Sequence, residues 1–355
     1  MKDRIYVCHT FYHAYIATVK ELNLPESQRG KATLVLSTMS NDFGSLREKA
    51  LKSGLFEDVL MFDEKEDICF PEVMKYHADK GNTFLNLLQR IRYTKLLGKA
   101  QEENIPVDFK EYKDIYVFCD SDPIGYYLNY KKIRYHAVED GLDTIKYCDD
   151  ARYGNRGHFK LKAFMAKLNL IFIENGYSKY CIDMEVNDIS ALKYKLPNYV
   201  EAPREKLFKG IPDKDRHYLM DIFMDDPETL LGQLRNIEPG KKKVMILSDP
   251  VCDYETRKKM MRDIINEYAK DASVMIKPHP RDVVDYKNEF RDCIIIKGRF
   301  PMEILNEIPE FKVDRVVSIL TVVDAIGFAD ERIFLGADFM DRYEDPAIHR
   351  QNEVI

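Results

Sequence analysis

A histidine between two prolines, at the end of a short apolar run, is the residue in this sequence best placed to do chemistry. The run Val274-Met275-Ile276 predicts a buried strand, and Lys277-Pro278-His279-Pro280-Arg281 follows it. Each proline fixes its own φ and favours an extended residue before it, so the segment should stay extended beyond the strand. Ligands of open α/β sheets bind at the carboxyl ends of the strands. His279, flanked by the two cations, therefore suits a phosphate or another anionic leaving group.

Two further stretches of the second half place polar side chains near predicted strand ends. Glu303 lies in the first turn of a short helix predicted from Pro301 to Glu307. The turn Ser318-Ile319-Leu320-Thr321 carries two hydroxyls and precedes a helix predicted from Thr321 to Phe328. The N-terminus of such a helix can receive a phosphate through backbone N–H groups and hydroxyls.

The first half has its own acidic strand end, Glu139-Asp140-Gly141. We expect a carboxylate there to face the ligand-binding edge of the sheet, and Gly141 lets the backbone turn sharply or approach a ligand. His9-Thr10 and Tyr12-His13 follow the first predicted strand, so they should lie at the same edge.

Alternating strands and helices position these residues. Apolar runs predict strands in the first half at Arg4 to Cys8, Ala32 to Ser37, Asp58 to Phe62, Asp114 to Cys119 and Ile133 to Val138. Helical periodicity separates them at Ala14 to Leu22, Leu46 to Lys52, Thr83 to Glu103 and Ile124 to Tyr130. This order predicts a parallel, doubly wound sheet.

The alternation resumes at Val244 to Leu247, after a less regular stretch. We therefore predict an α/β protein with two Rossmann-like domains and a cleft between them. The first would span 1–235, with 150–235 irregular and suited to a linker or a dimer contact. The second would span 236–340, followed by a tail at 341–355. The apolar stripe from Phe159 to Leu170 favours core or dimer interface over a lipid contact, and Tyr194 to Pro203 indicates an interdomain crossing.

Composition excludes several classes. A net charge of −6 gives no general attraction to nucleic acid. The seven cysteines form no CxxC pair, which indicates reduced thiols in a cytoplasmic protein. No signal peptide is apparent, and no apolar run approaches the ~18 residues that span a bilayer. A peripheral contact with the cytosolic membrane face and a homodimer are both compatible with this sequence.

These motifs, in this order, resemble bacterial sialyltransferases, and glycosyltransferase family 52 (the lipooligosaccharide sialyltransferases) most of all. The likeness rests on the acidic Glu139-Asp140-Gly141, the His279-Pro280 pair and the hydroxyl turn at 318–321. The opening from Ile5 to Ala17 and the stretch Ile246 to Pro250 also resemble that family.

The resemblance implies a GT-B fold, no metal or other cofactor, and an inverting transfer from a CMP-activated sugar to a glycan. Asp140 would be the general base, and His279 the general acid or cationic partner at the departing phosphate. Glu303 would bind the ribose hydroxyls. Ser318, Thr321 and the helix that they open would hold the phosphate, and the nucleotide pocket would be lined by Ser248, Lys277 and Pro280. The first domain, 1–235, would bind the acceptor near His9 to His13 and near Asp120 to Asp122, and the second, 236–340, would bind the nucleotide.

Several alternatives stay open. Asp249 is the best rival base to Asp140. The DxD of Asp120-Ser121-Asp122 could bind a divalent metal, and so could His9 with His13, but neither set supplies enough ligands alone. A different donor (a UDP-sugar or a CDP-linked polyol phosphate), a sugar-nucleotide epimerase, and a non-catalytic glycan-binding module are the other functions to test.

Overall fold

The computed structural model describes residues 1–140, 158–192, 195–280, 282–324 and 326–349. The chain divides into two compact units, Met1–Asp215 and Arg216–Ile355. The boundary predicted from the sequence lies twenty residues later, at 235. The difference arises because two helices, His217–Phe223 and Pro227–Arg235, belong to the second unit, where the first of them packs on the 3₁₀ turn Met302–Glu307.

The first unit is built on a parallel sheet in which seven strands are described, in the order β3-β2-β1-β4-β5-β6-β7. The strands are β1 (Lys2–Cys8), β2 (Ala32–Ser37), β3 (Asp58–Phe62), β4 (Tyr112–Phe118), β5 (Tyr135–Val138), β6 (Cys181–Val186) and β7 (Tyr199–Glu201). The α-helices described in this unit are α1 (Phe11–Leu22), α2 (Leu46–Lys52), α3 (Pro71–Met74), α4 (Thr83–Ala100), α5 (Pro123–Lys131), α6 (Phe159–Lys167) and α7 (Arg204–Lys209).

The second unit repeats the same strand order on a smaller scale, β10-β9-β8-β11-β12, again all parallel. Its strands are β8 (Lys243–Leu247), β9 (Ser273–Lys277), β10 (Ile294–Ile295), β11 (Val313–Ser318) and β12 (Ala329–Phe334). Its helices are α8 (His217–Phe223), α9 (Pro227–Arg235), α10 (Tyr254–Tyr268), α11 (Tyr286–Glu289), α12 (Ala337–Met340) and α13 (Pro346–His349).

Each unit has a hydrophobic core of its own. Central strands are buried on both faces, so they consist of nearly continuous apolar runs such as Ile5 to Cys8 and Val244 to Leu247. The first core joins strand residues to α5, for example Ile5 and Val117 with Leu128. The second joins β8, β9 and β11 to α10 through Met260, Met261 and Ile264. Within the part of the chain that the structure describes, no helix is long and apolar enough to cross a bilayer.

Three predicted elements differ from the structure. The stretch predicted as an interdomain crossing contains β7, which pairs with β6 and completes the first sheet. No helix is present over the described residues of 321–328, where Ile326 N–H instead closes a turn onto Val323 O. The predicted tail is partly folded, since Tyr343 donates a hydrogen bond to Asp263 and α13 follows it.

Candidate functional site

In each unit, the predicted site residues gather where the strand order reverses. In the first sheet, β1 lies between β2 and β4, so the loops after β1 and β4 diverge above their carboxyl ends. Such a switch point is where open α/β sheets bind ligands. His9 follows β1 and Cys119 follows β4. Glu139 and Asp140 follow β5, the next strand of the sheet after β4.

His13 and Asp140 form the centre of the site in the first unit. Thr10 caps α1 by accepting a hydrogen bond from His13 N–H at 3.1 Å, which fixes the start of the helix. The His13 ring is fully buried and stacks on Phe118. Its Nδ1 accepts the backbone N–H of His9 at 3.1 Å, and its Nε2 contacts Asp140 Oδ1. Because Nδ1 is an acceptor, the ring's proton sits on Nε2, and His13 donates to Asp140.

The electrostatics agree with this tautomer. Burial lowers the pKa of His13 and outweighs the opposing effect of the Asp140 carboxylate, so the ring is neutral. Burial would raise the pKa of Asp140, but hydrogen bonds from His13 and Cys119 hold it well below its usual value. Asp140 is thus ionised at neutral pH. Its side chain stays 33 % exposed, so a ligand can reach it.

His13, Cys119 and Asp140 also have the donor types of a metal site, and their ligand atoms lie within 4.8 Å of one another. A metal bound at His13 Nε2 would need the ring proton on Nδ1, where it would oppose the N–H of His9. The three residues therefore fit a hydrogen-bonded carboxylate better than a metal.

A buried ion pair lies beside this centre. His9 is 4 % exposed, and its Nε2 lies 2.8 Å from Glu64 Oε2. Glu64 also accepts hydrogen bonds from Ser37 Oγ at 2.7 Å and from Ile124 N–H at 2.6 Å. Burial opposes protonation of His9, but the charge and hydrogen bond of Glu64 raise its pKa to about 9. The burial of His9 and His13 assigns both rings to internal positioning rather than to direct contact with an acceptor.

Glu64 is a residue that the sequence analysis missed. It lies two positions after β3, so the rule that polar residues cluster at strand ends would have found it.

The remaining predicted residues of this unit divide into buried and accessible groups. Asp120 of the DxD is buried and accepts from Tyr135 OH and Asn175 N–H, both at 2.9 Å, which commits its carboxylate to the fold. Glu139 is buried too, and burial raises its pKa. Tyr12 is half-buried at the start of α1, where a ligand can reach it. Gly141 lies outside the described residues.

In the second unit the strand order reverses between β8 and β11, and Asp249 bridges their loops. Its Oδ2 accepts the N–H of Leu320 at 2.9 Å, and its Oδ1 accepts the hydroxyl of Thr321 at 2.7 Å. Asp249 is only 6 % exposed. With both oxygens occupied, it is a poorer candidate for a general base than Asp140.

The backbone of His279 is held from both sides. Ser248 Oγ accepts the N–H of His279 at 3.0 Å, and the carbonyl of His279 accepts the N–H of Asp282 at 2.9 Å. Ser248 is itself buried, so its hydroxyl positions the histidine rather than lining an open pocket. His279 and Pro280 are half-buried, and Arg281 lies outside the described residues.

Asp282 organises this loop, and the sequence analysis did not identify it. Its buried carboxylate accepts from Ser248 Oγ at 2.6 Å, Tyr286 OH at 2.8 Å and Arg257 Nη1 at 2.6 Å. Burial would raise the pKa of Asp282, but these donors lower it. The signal was weak because Arg257 lies 25 residues away in sequence, on α10.

Lys277 points away from solvent. Its Nζ donates to Gly298 O at 3.0 Å and lies 4.2 Å from the centroid of the Phe300 ring. Gly298 has φ +106, and a Cβ there would come within 2.9 Å of Phe300, so glycine is required. Burial lowers the pKa of Lys277 to about 8, against the opposing charge of Glu303. The half-buried Glu303 has a raised pKa, for which burial is the main cause.

The predicted phosphate turn is built differently from the expectation. Ser318 is fully buried, and its hydroxyl donates to Thr321 O at 2.6 Å. The side chain of Thr321 is used by Asp249, and no helix starts there among the described residues. The prediction of a helix N-terminus as the phosphate site is therefore wrong. Leu320 is 39 % exposed at the surface of this turn.

A cavity of about 390 Å³ lies elsewhere in the first unit. It is bounded by α4, the loop before it and the start of α6, and its lining includes His77, Arg90, Tyr93 and Lys162. None of the predicted site residues lines it.

Comparison with known proteins agrees with this architecture. The sequence model of the family described as Glycosyltransferase family 52 matches residues 60–321. An uncharacterised protein of Haemophilus influenzae is 31 % identical over 205 residues, which span 57 % of this chain and 62 % of that protein, less than two thirds of its length. The solved α/β-galactoside α-2,3-sialyltransferase of the luminous marine bacterium Photobacterium phosphoreum is 13 % identical. It aligns over 93 % of this chain and 89 % of its own, with a TM-score of 0.53.

The structural match confirms the predicted GT-B class of α/β fold. The family match covers well over half of the sequence, from β3 to the turn after β11. On that evidence, the chain belongs to glycosyltransferase family 52.

Proposed function

We propose that this protein is a metal-independent, inverting glycosyltransferase that transfers sialic acid from CMP-sialic acid to a hydroxyl of a cell-surface glycan of the lipooligosaccharide or capsule type. The observation that carries the proposal is Asp140, a partly exposed carboxylate whose ionisation and orientation are set by the buried N–H of His13. An inverting displacement needs a base on one face of the sugar and stabilisation of the leaving group on the other.

In this reaction Asp140 accepts the proton of the acceptor hydroxyl as its oxygen bonds to the anomeric carbon. The low pKa of Asp140 makes it a weak base. A weak base is sufficient, because the attacking oxygen becomes strongly acidic as it bonds to an oxocarbenium-like centre. The glycosidic bond to CMP breaks on the opposite face, with inversion.

His279 stabilises the departing CMP by donating a hydrogen bond or a proton to its phosphate oxygen. Its backbone is fixed by Ser248 and Asp282, which limits the directions that the imidazole can take. Glu303 accepts hydrogen bonds from the ribose hydroxyls. Lys277 contributes positive charge near the nucleotide. It does not need to contact the nucleotide directly, because its ammonium group donates to Gly298 O and lies over the Phe300 ring.

The membrane-linked acceptor and the cytoplasmic location are parts of the same proposal. A lipid-anchored glycan would be presented at the cytosolic face of the membrane, where CMP-sugars are available to a cytoplasmic protein.

Calorimetry with CMP, CDP and UDP tests the donor, and a transfer assay with variants tests the mechanism. We expect CMP to bind most tightly. We expect Asp140→Asn to lower kcat by about 10²- to 10⁴-fold with CMP affinity unchanged, and His279→Asn to lower kcat as well. Asp63→Asn is the matched control, because Asp63 also follows a strand of the first sheet but is 71 % exposed.

Other results would select other functions. A preference for UDP would exclude the CMP donor. Isomerisation of a nucleotide sugar without any acceptor would indicate an epimerase. Unchanged glycan products in cells carrying Asp140→Ala with His279→Ala would indicate a binding module.

A further inference from the structure

Two helices of the first unit, α4 and α6, carry exposed apolar side chains within a cationic surface. We propose that this α4–α6 surface docks the protein on an anionic lipid bilayer. The inference deepens the proposed function, since it assigns a surface to the membrane contact. Its physical basis is independent of catalysis.

The apolar side chains on α6 form one face of that helix. Leu161 and Phe164 on the helix and Leu168 at its C-cap recur at spacings of three and four residues and are 45 %, 59 % and 52 % exposed. Phe159 and Leu170, at the ends of the stripe predicted as core or dimer interface, do pack against Met165 and Ala166. The three residues between them, Leu161, Phe164 and Leu168, are exposed. Phe164 and its neighbours are therefore left facing solvent.

Helix α4 extends the same apolar surface. Phe84 and Leu88 lie one turn apart on it and are 67 % and 40 % exposed. Each lies three residues before Leu87 or Ile91, respectively, and these two side chains pack against the α6 cluster of Met165 and Ala166. Residues three apart share a helix face, so the exposed side chains of both helices flank a single interhelical contact.

The charge on these helices is one-sided. The two helices together contain seven Lys and Arg side chains and no Asp or Glu, in a chain whose net charge is −6. Exposed cations lie on both helices: Arg92, Lys95, Lys99, Lys160 and Lys167. Apolar side chains surrounded by lysine and arginine are typical of helices that lie in a membrane interface.

Charge also decides between a bilayer and a second copy of the chain. A two-fold dimer through this surface would place the same cations opposite each other, because both subunits would contribute one identical patch. The anionic headgroups of a bilayer would instead neutralise them.

Co-sedimentation with vesicles tests the proposal without any donor or acceptor. We expect the full chain to bind vesicles of phosphatidylethanolamine with phosphatidylglycerol, but not vesicles of phosphatidylcholine, and to be released by salt. Lys160→Glu with Lys167→Glu should weaken binding by about fivefold or more per lysine. Phe84→Ser with Phe164→Ser should weaken it by about tenfold or more.

The matched control changes one exposed leucine and one lysine on α2, as Leu51→Ser with Lys52→Glu; Leu51 is 44 % exposed. This variant should bind vesicles like the parent chain. All variants should keep transfer to a short soluble acceptor, because none of these residues touches the candidate site.

Equal binding to both kinds of vesicle would overturn the proposal, and so would a control as impaired as the surface variants. Absence of vesicle binding would also overturn it. If the surface variants then changed a dimer of the parent chain into a monomer in sedimentation, the surface would be assigned to self-association. Anionic vesicle binding by a chain that transfers no sugar would leave this inference intact and exclude the proposed function.

Discussion

A single ring proton determines how the carboxylate in the first unit can act. Because the Nδ1 of His13 accepts the N–H of His9, its Nε2–H is directed at one oxygen of Asp140. This hydrogen bond fixes the position of that oxygen and helps to keep the pKa of Asp140 low. The carboxylate is therefore ionised, although its side chain is partly exposed. His13 is therefore a positioning residue, although the sequence analysis placed it among the residues that bind substrate.

Replacing His13 tests this role through the pH dependence of transfer. Without the hydrogen bond from His13, the effect of burial is opposed less and the pKa of Asp140 should rise, so the acidic limb of the kcat/KM profile should move to higher pH in His13→Phe. We also expect kcat to fall roughly 10- to 100-fold, because the carboxylate loses its orientation. A pH–rate series for both parameters measures this.

His13→Gln provides the control, since its amide N–H can still reach Asp140. It should retain more activity and shift the limb less than His13→Phe does. Equal profiles for the two variants and the parent chain would show that His13 has only a packing role.

At the scale of elements, the loop after β9 is fixed by one buried carboxylate. Asp282 accepts hydrogen bonds from Ser248 in the loop after β8, from Arg257 on α10 and from Tyr286 on α11. Four pieces of the second unit thus meet behind His279. Ser248 carries this order to the backbone N–H of the histidine.

We expect Asp282→Ala to destabilise the protein by roughly 3 to 5 kcal/mol, because it leaves the buried charge of Arg257 without its carboxylate partner. Urea unfolding measures the loss. Asp285→Ala removes an exposed carboxylate three residues along the chain and should cost only about 1 kcal/mol. A loss in Asp282→Ala no larger than in that control would contradict the role of Asp282.

The first turn of a second element, α5, packs closely against the loop that carries Asp120. A Cβ on Gly125 would come within 1.8 Å of Asp120 O and 2.7 Å of the Phe172 ring. Gly125→Ala should therefore cost about 3 kcal/mol or more, at the upper end for overpacking.

Gly232→Ala is the comparison, because Gly232 lies inside α9 with nothing within 4 Å of its added Cβ. Alanine there should be neutral or stabilise by up to about 1 kcal/mol. Thermal unfolding of the two variants side by side distinguishes the steric effect from the loss of glycine itself.

The whole molecule repeats one design twice. Both units order their first five strands in the same way and collect polar residues where that order reverses. The first unit has Asp140 with His13 there, and the second has His279, Glu303 and Lys277, which the proposed function assigns to the nucleotide. The proposed division of labour between acceptor and donor follows from this separation.

Hydrogen exchange with CMP tests that division. Bound CMP should slow exchange in peptides that contain Ser248, His279 and Glu303, with little change around His9 to His13, because a ligand protects the unit to which it binds. Mass spectrometry of the full chain with and without CMP gives the comparison. Protection near His9 to His13 with none near His279 would reverse the assignment.

Much of the fold could be predicted from local patterns. Strands β2 and β3 and helix α2 have the predicted limits, since an apolar run or a helical period depends on neighbouring residues alone. Asp140 and His279 also lie at strand ends as predicted, two residues after β5 and β9. The prediction of a helix at 321–328 was wrong, and a local pattern could not show that Leu320 and Thr321 bond to Asp249, 71 and 72 residues away.

The sequence by itself thus determined the order and type of most elements and the stretches of chain at the strand ends. The tertiary structure decided which polar groups there are buried partners and which remain accessible. The structure buries His13, Ser248 and Ser318, which bond to other protein groups. It adds Glu64 and Asp282 as buried hydrogen-bond acceptors beside the predicted residues, and it exposes Phe164. The physical reason is that periodicity is a local property, whereas a hydrogen-bond partner is supplied by whichever strand or helix the sheet order places alongside.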